Sequence, residues 1–262
     1  MSKLQPLKRF GQNYLVDKNI IQKIVREFDS QKTDTVIEIG PGTGALTTEL
    51  MKSVKKLYAV EIDKRVVENL TLGFPTVTVI NMDFLKLDLN SIADSFPIRV
   101  IGNIPYNITS PILFKLIENR LLVSDTMLMV QLEVAKRITA KEKSDDYGIL
   151  GVLLNYFAET KLCFKISPNV FYPKPKVESA IIHLNFTKKL AEDVDDKLFI
   201  QVVKAAFGNR RKKVKNSLGN SIFSDIDFKD CNFDLSRRAE ELTIAEFVEL
   251  TNVIKNNLNK LT

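Results

Sequence analysis

Residues 35–49, Thr-Val-Ile-Glu-Ile-Gly-Pro-Gly-Thr-Gly-Ala-Leu-Thr-Thr-Glu, constrain this chain more than any other stretch. Val36, Ile37 and Ile39 form a short β-branched run suited to a buried strand, and Gly40, Gly42 and Gly44 follow at alternate positions. Ala45 and Leu46 then open a helical pattern that continues through Leu50 and Met51. Strand, glycine turn and helix in that order begin a nucleotide-binding βαβ unit. Residues without Cβ let the backbone turn sharply and meet a ligand closely. Taken alone, the same loop would also serve as a tight turn in another kind of sheet protein.

Charge and spacing choose among nucleotides. A dinucleotide site uses Gly-x-Gly-x-x-Gly and sets a pyrophosphate on the helix N-terminus. Here the spacing is Gly-x-Gly-x-Gly, and Glu38 stands two residues before the first glycine. A carboxylate there repels pyrophosphate but suits a ligand carrying ammonium and sulfonium charge, which points to S-adenosyl-L-methionine (SAM). Glu61 closes a strand expected over 56–62 and lies 21 residues beyond Gly40 (61 − 40), where an acid binds both ribose hydroxyls. Asp83 follows a strand expected over 77–81 and can accept the exocyclic amine of the ligand's adenine. Each acid alone also fits an ordinary strand end. Three at successive strand ends match the rule that open α/β sheets bind ligands beyond their carboxyl edge.

The remaining pattern divides the chain. Asp17 is placed to cap a helix over 18–28, with Ile20, Ile21, Ile24, Val25 and Phe28 on one stripe. Strands are expected at 98–101, 126–131, 161–166 and 179–186, and helices at 112–118 and 132–140. Between the last two strands lies a proline-stiffened loop, 169–177, with Phe171 and Tyr172 at its start. A charged link at 187–196 leads to a basic helix over 197–219 and another helix near 244–258. We therefore expect an α/β domain over 1–187 and a small all-helical domain over 188–262.

The 262 residues carry a net charge of +6. Its distribution matters more, because from Lys204 to Lys215 there are six basic residues and no acid. Such a cluster is a footprint for nucleic acid, although a solvated helix face has the same composition. No apolar stretch reaches the roughly 20 residues of a membrane span. Residues 1–9 lack a secretory apolar region, so a cytoplasmic protein without a membrane partner is expected. Cys163 and Cys231 lie far apart with no CxxC pairing, which argues against a disulfide framework or a metal site. The single histidine, His183, sits in an apolar run and is expected to be structural.

Asn103-Ile104-Pro105-Tyr106 carries the chemistry. Amino groups on nucleobases are poor nucleophiles because the nitrogen lone pair is delocalised into the ring. A site that accepts both N–H hydrogens out of the ring plane favours a pyramidal nitrogen with its lone pair aimed at a methyl group. The Asn103 side-chain carbonyl offers one acceptor, and the backbone carbonyl of Ile104 or Pro105 offers another. Tyr106 supplies a face for the base.

This constellation resembles the ribosomal RNA adenine N6,N6-dimethyltransferases, most closely those of the small subunit. The matching stretches are Phe-Gly-Gln-Asn-Tyr-Leu (10–15), Glu-Ile-Gly-Pro-Gly-Thr-Gly (38–44), Glu-Ile-Asp (61–63), Asp83, Asn-Ile-Pro-Tyr (103–106), Phe-Tyr-Pro-Lys-Pro-Lys-Val-Glu-Ser (171–179) and Phe-Gly-Asn-Arg-Arg-Lys-Lys (207–213). The resemblance implies a Rossmann-like class I SAM-dependent methyltransferase sheet with a C-terminal helical domain. It implies that Asn13, Leu15, Gly40, Glu61, Asp83 and Asn103 line the SAM site, joined by Glu38 from the charge argument and Gly42 from the glycine loop. It further implies that Asn103, Pro105, Tyr106 and Phe171 hold the target adenine, and that Arg210, Arg211, Lys212 and Lys213 bind RNA. The implied substrate is a pair of adjacent adenosines in a hairpin near the 3′ end of 16S rRNA, within an immature 30S subunit, approached by a monomer. The rivals are a 23S rRNA methyltransferase that confers macrolide resistance, and a non-catalytic assembly or transcription factor on the same fold. An NAD-dependent dehydrogenase is disfavoured by the loop spacing and by Glu38.

Overall fold

The computed structural model describes residues 5–92, 97–190, 194–209, 212–226, 228 and 233–261. They fall into two units, one of residues 1–135 and 159–187, the other of 136–158 and 188–262. In chain order the first unit holds β1 (Tyr14–Leu15), α1 (Lys18–Phe28), β2 (Thr35–Ile39), α2 (Thr47–Leu50), β3 (Lys56–Glu61), α3 (Lys64–Gly73), β4 (Thr78–Asn81), β5 (Ile98–Asn103), α4 (Thr109–Glu118) and β6 (Val123–Gln131). After α5 (Leu132–Ile138) and α6 (Ile149–Phe157), the chain returns to it with β7 (Glu159–Ile166), β8 (Phe171–Tyr172) and β9 (Ser179–Asn185).

Seven strands make one sheet in the order β4-β3-β2-β5-β6-β9-β7. The first five run parallel, whereas β9 is antiparallel to both β6 and β7. Strand β2 lies in the centre of the parallel sheet and is buried along its whole length, Thr35 and Glu38 included. The parallel order brings the carboxyl ends of β2, β3, β4 and β5 to one edge. The helix after the glycine loop is only one turn long, because a run of turns occupies 42–46 first. Asp17 caps α1 as expected, accepting from the amides of Asn19 at 2.9 Å and Ile20 at 3.0 Å.

A charged cluster ties α1 to β5 and β6. Arg99, the second residue of β5, donates to Asp34 at 2.8 Å and to both oxygens of Asp125 at 2.7 and 2.8 Å. It also caps the end of α1 through the carbonyls of Phe28 (2.6 Å) and Asp29 (3.0 Å). His183 Nε2 lies 2.7 Å from Asp125 Oδ2. The histidine thus belongs to the framework.

In the second unit, α7 (Asp196–Ala206), α8 (Val214–Gly219) and α9 (Ile244–Leu261) pack with α6. The edge at 188 is also the change of character visible in the sequence, but 136–158 joins the C-terminal helices. The reason is that α6, Ile-Leu-Gly-Val-Leu-Leu-Asn-Tyr-Phe, is apolar nearly all round and must be covered on more than one side. Phe199 of α7 stacks on Tyr156 with ring centroids 4.1 Å apart and meets Phe157 edge-on at 6.0 Å. The helix expected over 197–219 is two helices. Residues 207–209 end α7 with Gly208 bonding back to Ala205 O, and α8 restarts only at Val214. Among the described residues, no helix is long and apolar enough to cross a membrane.

Candidate cofactor crevice

Three adjoining cavities run along the carboxyl edge of the parallel strands, and Gly40 lines all of them. The narrowest, about 20 Å³, is walled by Leu15, Glu38, Leu46 and Asn103. The middle one, about 50 Å³, is walled by Asn13, Gly42, Glu61, Asn103, Pro105 and Tyr106. The widest, about 180 Å³, has apolar walls from Ile62, Phe84 and Ile108 together with Asp83. Of the residues expected at the cofactor or the target, all except Phe171 line this crevice. Phe171 is 5% exposed and packs in the apolar core with Leu15.

Two carboxylates set the electrostatics. Glu38 is fully buried, and Thr47 Oγ1 donates to it at 2.6 Å. Burial pushes its carboxyl up to about 7; the Thr47 hydrogen bonds oppose that rise and the neighbouring Glu61 adds to it. Glu61 is raised by burial too, against the pull of the Asp63, Ile62 and Gly42 amides that donate to it. Among the described residues, neither carboxylate is paired with a lysine, arginine or histidine. A crevice with two buried, unneutralised acids favours a cationic occupant.

The Glu38 shift has a sign that can be tested. Between the unfolded value near 4.5 and the folded value of about 7, the native state holds a proton the unfolded chain has released. The stability this residue contributes therefore falls as pH rises through that window. We expect Glu38→Gln to melt about 3–6 °C above the wild type at pH 8 and close to it at pH 4, by calorimetry. An equal difference at both pH values would refute the buried, protonatable carboxyl.

A strap over residues 5–15 covers the crevice. Gln12 Oε1 accepts from the Leu7 amide at 2.8 Å and from the Tyr14 hydroxyl at 2.9 Å, while its Nε2 donates to Asp63 at 3.2 Å. Asp63 in turn caps α3 and pairs with Arg65 at 2.6 Å. Burial, then the charges of Glu61 and Asp63, pushes the Tyr14 hydroxyl up to about 12. Gly42, at φ +55°, permits this closure, since a Cβ there would lie 2.9 Å from the Tyr14 ring. Gly11, at φ +61°, lets the strap pass Pro105 and Asn107. Strand β1 is fixed by β8, with Tyr14 opposite Tyr172 and Leu15 opposite Phe171.

The Asn103 amide is oriented by the strap. Its Nδ2 donates to the carbonyl of Asn13 at 2.8 Å, which turns Oδ1 away from that contact. Pro105 fixes the turn that follows, and its carbonyl accepts from the Ile108 amide at 3.2 Å. The Tyr106 hydroxyl lies 2.6 Å from Ser179 Oγ, and burial raises its pKa. At the wide end, Asp83 Oδ1 accepts from the Leu85 amide at 2.9 Å. Lys115 of α4 holds the same turn through the carbonyls of Leu85 (3.1 Å) and Leu87 (2.6 Å).

Gln12, Tyr14, Thr47, Lys115 and Ser179 were not expected here. Gln12 and Tyr14 flank Asn13 in the 10–15 motif, Thr47 follows the glycine loop within 35–49 and Ser179 closes the 171–179 stretch, which are usable signals; Lys115 reaches the site only through tertiary packing. Lys213 stands at the N-terminal boundary of α8 in the second unit, without a side-chain capping bond, its backbone forming an antiparallel β-bridge with Arg238; it and Lys212 are exposed. Arg210 and Arg211 lie outside the described residues.

Comparison with known proteins places this geometry. The family described as Ribosomal RNA adenine dimethylase matches residues 4–256. The chain is 45% identical over 249 residues to the Ribosomal RNA small subunit methyltransferase A of Chlorobium phaeobacteroides, covering 95% of this chain and 91% of that one. It is 41% identical over 261 residues to the protein of the same name from Coxiella burnetii, covering 97% and 100%. Among solved structures, a dimethyladenosine transferase from Plasmodium falciparum has the same fold, with TM-score 0.75 at 24% identity over 93% of this chain and 98% of that one. The 23S rRNA methyltransferase ErmE gives TM-score 0.69 at 26% identity, covering 93% and 100%.

Proposed function

We propose a substrate and a set of residue roles for this chain, which belongs to the ribosomal RNA adenine dimethylase family. Its activity is SAM-dependent dimethylation of adenine in ribosomal RNA. The finer reading is dimethylation at N6 of two adjacent adenosines in a hairpin near the 3′ end of 16S rRNA, within an immature 30S subunit, by a cytoplasmic monomer. Its support is the greater likeness to small-subunit enzymes than to the 23S enzyme.

The crevice suits SAM in its donor set: acids without counter-charges at the narrow and middle parts, and an apolar wide end closed by Asp83. Leu15 and Glu38 would hold the amino-acid end, Glu61 the ribose, Asp83 the base, with Gly40, Gly42 and Asn13 forming the walls. When bound there, SAM supplies an electrophilic methyl group on a sulfonium. The single observation that carries the chemistry is Asn103, whose Nδ2 is spent on Asn13 O so that Oδ1 is left to accept a hydrogen of the adenine amine. The second hydrogen falls to the backbone carbonyl of Ile104 or Pro105; the latter already accepts from the Ile108 amide but keeps a second lone pair. Tyr106, pinned through Ser179, presents a face to the extruded base, while Phe171, buried in the core opposite Leu15, supports the ribbon that carries the strap. The helical unit, over 188–262 with the α6 segment, is assigned to RNA through Lys212 and Lys213 with Arg210 and Arg211.

Incubation with labelled SAM and 30S particles from a strain lacking the modification tests the reading. Label should appear on adjacent adenosines near the 3′ end of 16S rRNA, two methyl groups to each. Label on isolated 50S particles instead would establish the 23S reading.

A further inference from the structure

The pocket reading leaves an exposed aromatic residue beside the crevice without a task. Tyr172 is 56% exposed, although its neighbour Phe171 is buried. That alternation is what a strand produces, with successive side chains on opposite faces. Leu15 and Phe171 take the core face of the β1–β8 ribbon. Tyr14 and Tyr172 are directly opposed partners, so both leave the ribbon on its other face. Tyr14 lies against Gly42 and lines the crevice beside Asn103 and Glu61. The ring of Tyr172 therefore continues the crevice side of the ribbon out to solvent.

The segment that follows is built to stay in place. Residues 172–178 are exposed apart from Pro175, which is half-buried, and carry Lys174 and Lys176 against a single acid, Glu178. Prolines at 173 and 175 stiffen the segment. It is anchored at one end by β8 and at the other by Ser179, the partner of the Tyr106 hydroxyl. An aromatic face with lysines beside it, held at both ends to the reaction site, has the composition of a single-stranded nucleic-acid platform.

We propose that Tyr172 stacks the nucleotide next to the extruded adenosine, while Lys174 and Lys176 contact its flanking phosphates. This rests on the RNA adenine reading above. An adenosine taken out of its stack leaves a neighbouring base face unpaired, and an exposed tyrosine at the mouth of the pocket replaces the lost partner.

The test compares wild type, Tyr172→Ala and Tyr172→Phe in three measurements. These are KM for 30S particles lacking the modification, anisotropy with a fluorescent single-stranded oligoadenylate, and calorimetric titration with SAM. Tyr172→Ala should raise KM and weaken oligoadenylate binding on the order of tenfold with SAM affinity unaltered, and Tyr172→Phe should restore both. Oligoadenylate affinity equal to wild type in Tyr172→Ala would overturn the proposal, as would a parallel loss of SAM affinity or a failure of phenylalanine to rescue. A wild type that methylates no particle would instead sink the reading beneath it, and the oligoadenylate measurement would then still decide the role of Tyr172.

Discussion

Replacing Asn103 by alanine should lower the single-turnover rate of methyl transfer by at least about 10²–10³-fold, the usual cost of removing one group aimed at a transition state. The SAM dissociation constant should change by much less, because Glu38, Glu61 and Asp83 remain in the crevice walls. The asymmetry follows from how the amide is held. Its nitrogen donates to the Asn13 carbonyl at 2.8 Å, which fixes the amide's orientation and leaves its oxygen, the acceptor end, for an incoming amine. Truncation removes that acceptor when the amine nitrogen must become pyramidal. Near-wild-type turnover would refute the role, and equal losses in turnover and SAM affinity would recast Asn103 as part of the cofactor wall.

The largest effect on stability is expected at Arg99. Replacing it with leucine should destabilise the protein by about 3–5 kcal/mol at neutral pH, since the buried Asp125 would lose its main partner. Asp34 and the last carbonyls of α1 would lose theirs as well. Burial alone would raise the Asp125 carboxyl, but hydrogen bonds from Arg99 and His183 outweigh it and hold the pKa below the usual carboxylate range. The stabilisation this provides is present above the unfolded value near 4 and is lost as pH falls through the lower folded value. In the variant, acid protonates the stranded carboxylate and relieves it. The stability gap between wild type and Arg99→Leu, read by denaturant titration, should therefore narrow on acidification. A gap that stays constant from pH 7 to pH 3 would refute the buried-pair account.

The parallel strands and the three acids at their ends were legible in the sequence because both depend on short stretches. An apolar run bounded by glycine or an acid marks its own strand, and the parallel order then aligns Glu38, Glu61 and Asp83 on one edge. The β1–β8 ribbon was not legible, since two-residue strands give no periodicity and the partners are far apart along the chain. The Asn103 carbonyl was legible as an acceptor, but the contact that orients it was not; that depends on where Asn13 comes to rest. Lys115 acts from a helix whose local pattern is ordinary. The helix at 149–157 gives no signal in the sequence, because a short, largely apolar run has no amphipathic stripe to announce it. The break between α7 and α8 was hidden by a basic run whose charges suit a helix surface, while Gly208 and Asn209 supply the stop.

The excursion at 136–158 bears on how such proteins can exchange parts. Because Tyr156 and Phe157 are lent to Phe199 from the middle of the chain, a tail beginning at 188 is not a cassette. A chimera that swaps only that tail between homologues would set one lineage's aromatic ring against another lineage's socket. Recombination that respects the fold must carry two separate pieces at once.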